Sequence, residues 1–110
     1  MFAGSPTVVE QSGTDVQLQS VEFEGGHVLL RLRANEMEEV GRHNTLRPVV
    51  MSETFSLTDG NGLALVFVQS SSDSGPFAGI FDLAFAQVPE FDPASELSLR
   101  SEKVNIKFHV

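Results

Sequence analysis

Apolar residues recur at every second position along most of this chain, and no window holds the i, i+3, i+4, i+7 spacing of an amphipathic helix for three turns. The pattern predicts an all-β chain. In "HVLLRLRA", residues 27 to 34, Val28, Leu30, Leu32 and Ala34 share one face, while His27, Leu29, Arg31 and Arg33 share the other. Successive side chains of a strand point to opposite sides, so the first set is expected in the core and the second mostly in water. The preceding "DVQLQSVEFE" alternates as Val16, Leu18 and then Val21, Phe23, but steps by three between Leu18 and Val21. A two-residue turn at Gly25-Gly26 sets Phe23 opposite Val28 and Val21 opposite Leu30. For Leu18 to meet Leu32 and Val16 to meet Ala34, one extra residue must bulge out near Gln19 and Ser20.

The same arithmetic applied to "FSLTDGNGLALVF" predicts a hairpin whose turn lies at Gly60-Asn61 or Asn61-Gly62. Either turn places Phe55 and Leu57 on one face with Ala64, Val66 and Val68. Residues 63 to 68 are apolar on both faces, the signature of an inner strand covered by a second layer. "PFAGIFDLAFAQVP" reads as the longest strand candidate, with Phe77, Phe81, Leu83 and Phe85 on one face and Ala78, Ile80, Ala84, Ala86 and Val88 on the other. "ELSLRSEKVNIKFHV" is expected to turn at Ser101-Glu102, pairing Leu99 with Val104, Leu97 with Ile106 and Glu96 with Lys107. Two stretches resist the strand reading. Residues 69 to 76, "QSSSDSGP", have the composition of a surface loop, and residues 35 to 48, "NEMEEVGRHNTLRP", fit one helical turn with Asn35 as N-cap and Glu38 three residues on.

The chain has 110 residues, 41% of them hydrophobic and 20% charged, which is one domain's worth of a soluble globular composition, residues 1–110. Its apolar runs fall far short of the roughly 18 residues that span a bilayer as a helix, so no direct membrane insertion is expected. With no cysteine there are no disulfides, thiolate ligands or thiol nucleophiles. A formal net charge of -8 argues against nucleic acid, whose phosphates are gripped by clustered Lys and Arg. "MFAGSP" lacks the basic start and apolar middle of a secretory signal, leaving a cytosolic chain or a mature extracytoplasmic segment with an added Met.

The pattern resembles the immunoglobulin-like sandwich domains found in bacterial lipoproteins and in the extracytoplasmic parts of some anti-sigma factors. "FSLTDGNG" is similar to that family's strand and Asp-x-x-Gly turn, "GIFDLAF" to its glycine-led strand with two Phe residues, and "LSLRSEKVNIKF" to its closing strands. The match covers about the last half of the chain. "RANEMEEVGRHNTLRP" stands as a longer charged insertion where such domains have a short turn, and the chain has no Trp or Tyr for the core. The resemblance implies an accessory or interaction module at the cell surface or in the periplasm, and it carries over no catalytic residue.

Candidate chemistry is sparse. An EF-hand opening at Asp59 needs oxygen ligands at positions 1, 3 and 5, Gly at 6 and Glu at 12; Asp59 and Asn61 fit, but Leu63, Ala64 and Ser70 do not. The stretch therefore reads as a hairpin loop, with a looser calcium turn as the alternative. His27, His43 and His109 lack the spacing of shared metal ligands and read as surface residues. There is no Gly-x-Ser-x-Gly elbow for a nucleophile. Glu36, Glu38, Glu39 and Glu53 lie in or near one loop and read as solvated rather than as a catalytic pair. Asp82 is the discordant residue, an acid inside "GIFDLAFAQV" that must pair with an arginine such as Arg31 or Arg33, sit near a sheet edge or serve as a functional acid. Phe2 and Phe91 fall outside the strong strands, and Phe91 is expected to plug one end of the core.

These readings converge on an antiparallel immunoglobulin-like β-sandwich of about seven to nine strands, with a Greek-key barrel as second choice. The expected role is a non-catalytic interaction module without cofactor or metal, whose protein partner would meet residues 35 to 48 through Glu36, Glu38, Glu39, Arg42, His43 and Arg47. The alternatives are a self-assembling structural subunit, such as a virion or appendage component, and a small metal-dependent or hydrolytic enzyme.

Overall fold

Strands β2 (Val16–Glu24) and β3 (His27–Ala34) form a hairpin in the computed structural model of the chain, which describes residues 6–13, 16–40, 45–72 and 79–110. Gly25 and Gly26 have φ of 58° and 78°. Two successive positive φ values twist a tight turn to match the flanking strands, and glycine reaches them without strain. The register is Phe23 with Val28, Val21 with Leu30, Leu18 with Leu32 and Val16 with Ala34, with the shift between Leu18 and Ser20. The bulge demanded by the three-residue step is therefore present, with Gln19 as its extra residue. Val16, Val21, Val28, Leu30 and Leu32 are all at most 1% exposed.

The remaining strands are β1 (Thr7–Gly13), β4 (Met37–Val40), β5 (Thr45–Pro48), β6 (Ser56–Thr58), β7 (Ala64–Ser72), β8 (Ile80–Ala86), β9 (Leu97–Arg100) and β10 (Val104–His109). Eight of the ten described strands form one antiparallel sheet in the order β1-β10-β9-β6-β7-β8-β3-β2, while β4 and β5 pair separately. Within it β6 to β9 lie as β9-β6-β7-β8, a Greek-key order. The sheet curls into a nearly closed, barrel-like form around one core, to which β2, β3 and β8 contribute Val21, Leu30, Phe81 and Phe85 and to which β6, β9 and β10 contribute Leu57, Leu99, Ile106 and Phe108. The first and last strands of the sheet, β1 and β2, are consecutive in the chain, and the Gln11 side-chain amide of β1 donates to the Val16 carbonyl of β2.

Several expectations differ from the structure. The β6–β7 loop holds five residues, Asp59 to Leu63, closed by a bond from Asp59 N–H to the Leu63 carbonyl at 3.0 Å. An odd loop reverses the phase predicted for a two-residue turn: Leu57 pairs with Leu65, and both are buried. Val66 is instead 71% exposed, because the reversed phase turns it away from the core and, among the described strands, β7 beyond Leu65 pairs with β8 alone. The inner-strand reading of residues 63 to 68 fails for the same reason. At the C-terminus Ile106 pairs with Leu99 and Phe108 with Leu97, two residues from the expected register. That shift keeps every inward side chain inward but moves Glu96 from Lys107 to His109, 3.8 Å away. Finally, residues 37 to 40 are the strand β4 rather than a helical turn begun at Asn35, and a 3₁₀ turn follows at Val49–Ser52. β8, at seven residues, is also shorter than β2 and β7. Of the segment from 69 to 76, residues 69 to 72 belong to β7 and the rest lie outside the described residues, as do Phe2 and Phe77.

Candidate functional site

Asp59 is the buried charged residue of the described core, 5% exposed at the end of β6. Its Oδ1 accepts the backbone N–H groups of Asn61 and Leu63, both at 2.9 Å, and its Oδ2 accepts that of Asp92 at 2.9 Å. The Asp92 N–H is the largest reason the carboxyl titrates below the usual carboxylate range; burial opposes it, and the N–H groups of Leu63, Asn61 and Gly62 reinforce it. The second loop folds onto the first through further bonds. Gly60 N–H donates to Ser95 Oγ at 2.8 Å, Ser95 Oγ donates to the Asp92 carbonyl at 2.7 Å, and Ala94 N–H donates to Asp92 Oδ1 at 3.0 Å. A Cβ on Gly60 would stand 2.9 Å from the Cβ of Ser95, so this close approach admits only glycine. Beside this corner Phe91, 3% exposed, closes one end of the core as its position implied.

The chemistry of this corner follows from the donors. Three N–H dipoles converge on the Asp59 carboxylate and stabilise its negative charge in place of a cation. A calcium ion entering along those directions would meet N–H hydrogens rather than oxygen lone pairs. Asp59 thus acts as a clamp that sets the five-residue loop and ties it to residues 91 to 95. Among the described residues, no group of three His, Asp or Glu gathers as metal ligands.

Asp82 lies on the outer face of the sheet, directly across from Arg31 in the β3–β8 register. Arg31 Nε donates to Oδ1 at 2.9 Å and Nη2 to Oδ2 at 3.1 Å, a two-pronged ion pair whose side chains are 53% and 39% exposed. Of the two arginines considered from the sequence, the register selects Arg31. The pair lines a shallow depression of about 270 Å³ with Ser20, Glu22, Leu29 and Ser71. A neighbouring one of about 350 Å³ continues it past His27, Glu24 and Val68. At the end of the barrel near the Gly25-Gly26 turn, Phe23, Pro93 and Val110 border an open cleft of about 500 Å³.

The residues proposed from the sequence for partner binding are spread over a small hairpin. Glu38 stands opposite Arg47 and Glu39 opposite Leu46 in the β4–β5 register. Glu36 is exposed, and its carbonyl accepts Val49 N–H at 3.0 Å. Arg42 and His43 lie outside the described residues. His27 Nδ1 is 3.0 Å from the Gly25 carbonyl, and His109 faces Glu96 on the other side of the sheet order, so these two histidines do not meet.

Glu53, grouped by sequence with the solvated acids, is instead a latch. Its Oε1 accepts the Ser101 hydroxyl at 2.7 Å and the Lys103 N–H at 2.9 Å, and Ser101 Oγ accepts Val104 N–H at 3.2 Å. These contacts hold the β9–β10 turn in the register observed. Nothing local foretells it, since the partners are 48 and 50 residues away. Comparison with known proteins adds no assignment: no family model, no curated protein and no solved structure matches this chain.

Proposed function

We propose that this chain is a non-catalytic interaction or accessory module that acts outside the cytoplasm, at the cell surface or in the periplasm, with its sheet arranged in the two-layer manner of immunoglobulin-like domains. One observation carries the reading. The two acids that most resemble chemistry are both engaged in holding the fold, Asp59 by three backbone N–H groups and Asp82 by Arg31. What remains for recognition is surface: the charged β4–β5 hairpin, the outer face around Arg31, and the strand β7. An enzyme needs convergent polar groups that are free to act on a substrate, and the acid in the outer depression is held by its arginine.

The partner is a protein. Nucleic acid is disfavoured by the net charge of -8. Photo-crosslinking from position 36 in living bacterial cells tests the proposal. The expected result is a dominant adduct with an extracytoplasmic protein, lost when Glu38 and Glu39 are changed to lysine. Adducts confined to cytosolic proteins, or insensitive to the charge reversal, would overturn it. The self-assembling subunit is the second reading, favoured by the edge of β7 beyond Leu65, which no described strand other than β8 pairs.

A further inference from the structure

The turn that Asp59 organises contains an Asn-Gly step, Asn61-Gly62, and no other asparagine of the chain is followed by glycine. Such a step can modify itself. Glycine has no Cβ to shield its backbone nitrogen, so that nitrogen can reach the carbonyl carbon of the preceding side chain. Gly62 N, once it gives up its proton, bonds to Asn61 Cγ; the Cγ–Nδ2 bond breaks and ammonia leaves with that proton. Water then opens the five-membered imide. Cleavage at Cγ leaves aspartate, whereas cleavage at the backbone carbonyl carbon leaves isoaspartate, in which the main chain runs through Cβ and Cγ and is one atom longer.

The fold leaves the electrophile free and holds the nucleophile. Asn61 is exposed, and among the described residues its side-chain amide has no hydrogen-bond partner. Gly62 N–H instead donates to the Asp59 carbonyl at 3.1 Å. On either side of it, Asn61 N–H and Leu63 N–H donate to Asp59 Oδ1 at 2.9 Å and fix the flanking peptide units. Attack requires Gly62 N to lose the proton it is donating and to swing toward Asn61 Cγ, so the bond to Asp59 must open first. The carboxylate raises the barrier further, because an amide anion forming beside it meets a like charge. The bonds to Asp59 Oδ2 from Asp92 N–H and to Ser95 Oγ from Gly60 N–H help to keep the turn closed.

We propose that Asn61 is a latent modification site, converted to aspartate and isoaspartate at a rate set by opening of the Asp59 clamp, and that the isoaspartate form keeps the clamp from closing again. The extra main-chain atom lies between Asn61 Cα and Gly62 N, inside the loop that Asp59 N–H and the Leu63 carbonyl close at 3.0 Å. The N–H groups of Gly62 and Leu63 then no longer reach the Asp59 carbonyl and Oδ1 together. The site is independent of the interaction-module reading.

Peptide mapping by mass spectrometry, on the full chain held in mildly alkaline buffer with and without concentrated urea, reads both rates. Asn61 is expected to be modified at least about tenfold more slowly in the folded protein, the factor that an opening cost of about 1.4 kcal/mol gives. Ser95→Ala removes the acceptor of Gly60 N–H, leaves the apolar core in place and is expected to speed the folded-state reaction severalfold. Asn61→Ser keeps the backbone donor to Asp59 and removes the side-chain amide. It is expected to match fresh wild type in its urea midpoint, and to hold that midpoint through an incubation in which wild type loses it in step with the isoaspartate fraction. Equal rates with and without urea, a folded Ser95→Ala protein modified no faster than wild type, or modified wild type with an unchanged midpoint would overturn the proposal.

Discussion

Asp59 and Asp92 are joined by a 2.9 Å bond from the backbone N–H of the second to Oδ2 of the first, across 33 residues of chain. With the bonds to Asn61 and Leu63, it makes one carboxylate the common acceptor for two loops. The ionised form is the one these donors favour, so the carboxyl titrates below its ordinary value of 3.8. A lowered pKa in the folded state contributes stability that is present above the unfolded pKa and lost as pH falls through the folded one. The urea midpoint is therefore expected to decline below about pH 4. Asp59→Asn is expected to lower the midpoint at pH 7 and to flatten that acid decline. A variant that keeps the full wild-type slope would place the titrating group elsewhere.

The bulge at Gln19 makes the β2–β3 hairpin sensitive to which residue is removed. Without Gln19, Leu18 still meets Leu32, Ser20 still meets Arg31, and alternation runs unbroken. That deletion is expected to keep the fold with a change of at most about 1 kcal/mol. Removing Glu22 instead turns Val21 outward and Ser20 inward, at a cost of about 2–4 kcal/mol. Chemical denaturation of the two deletions decides it, and equal losses would mean the bulge is not the slack in the strand.

Leu65 and Val66 are neighbours with opposite fates. Leu65 is 6% exposed and Val66 71%. Leu65→Ala is expected to destabilise by about 2–5 kcal/mol, the range for a truncated core leucine. Val66→Thr, on the open face, is expected to stay within about 0.5 kcal/mol of wild type. Thermal melts of both variants test the phase of β7.

Arg31 and Asp82 form a well-shaped pair in water. At their exposure the attraction is screened, so a double-mutant cycle with Arg31→Ala and Asp82→Ala is expected to give a coupling of about 0.2–1 kcal/mol that shrinks in high salt. A coupling several times larger, or one indifferent to salt, would show that the pair answers to something beyond the fold.

The register of the first hairpin was legible in the sequence down to its bulge, because Gly25-Gly26 specifies a two-residue turn and the spacing of Val16, Leu18, Val21 and Phe23 leaves one residue unmatched. The face carrying Phe81, Leu83 and Phe85 was legible for the same reason. The other two hairpins were not. Their loops are shaped by Asp59, which draws in Asp92, and by Glu53, which latches Ser101 and Lys103. Those contacts link segments far apart in the chain, so local turn rules gave the wrong loop length in the first of these hairpins and the wrong turn position in the second.

Alternation along the chain was enough to determine that this protein is all-β and which residues of β2, β3 and β8 face its core, because a strand's side-chain period is set by backbone geometry alone. The tertiary structure decided the rest: that Val66 lies in water while Leu65 is buried, that Arg31 rather than Arg33 meets Asp82, and that β6 pairs with β7 only at Ala64 and Leu65. Each depends on where a distant segment ends or docks, and residue spacing carries no record of that.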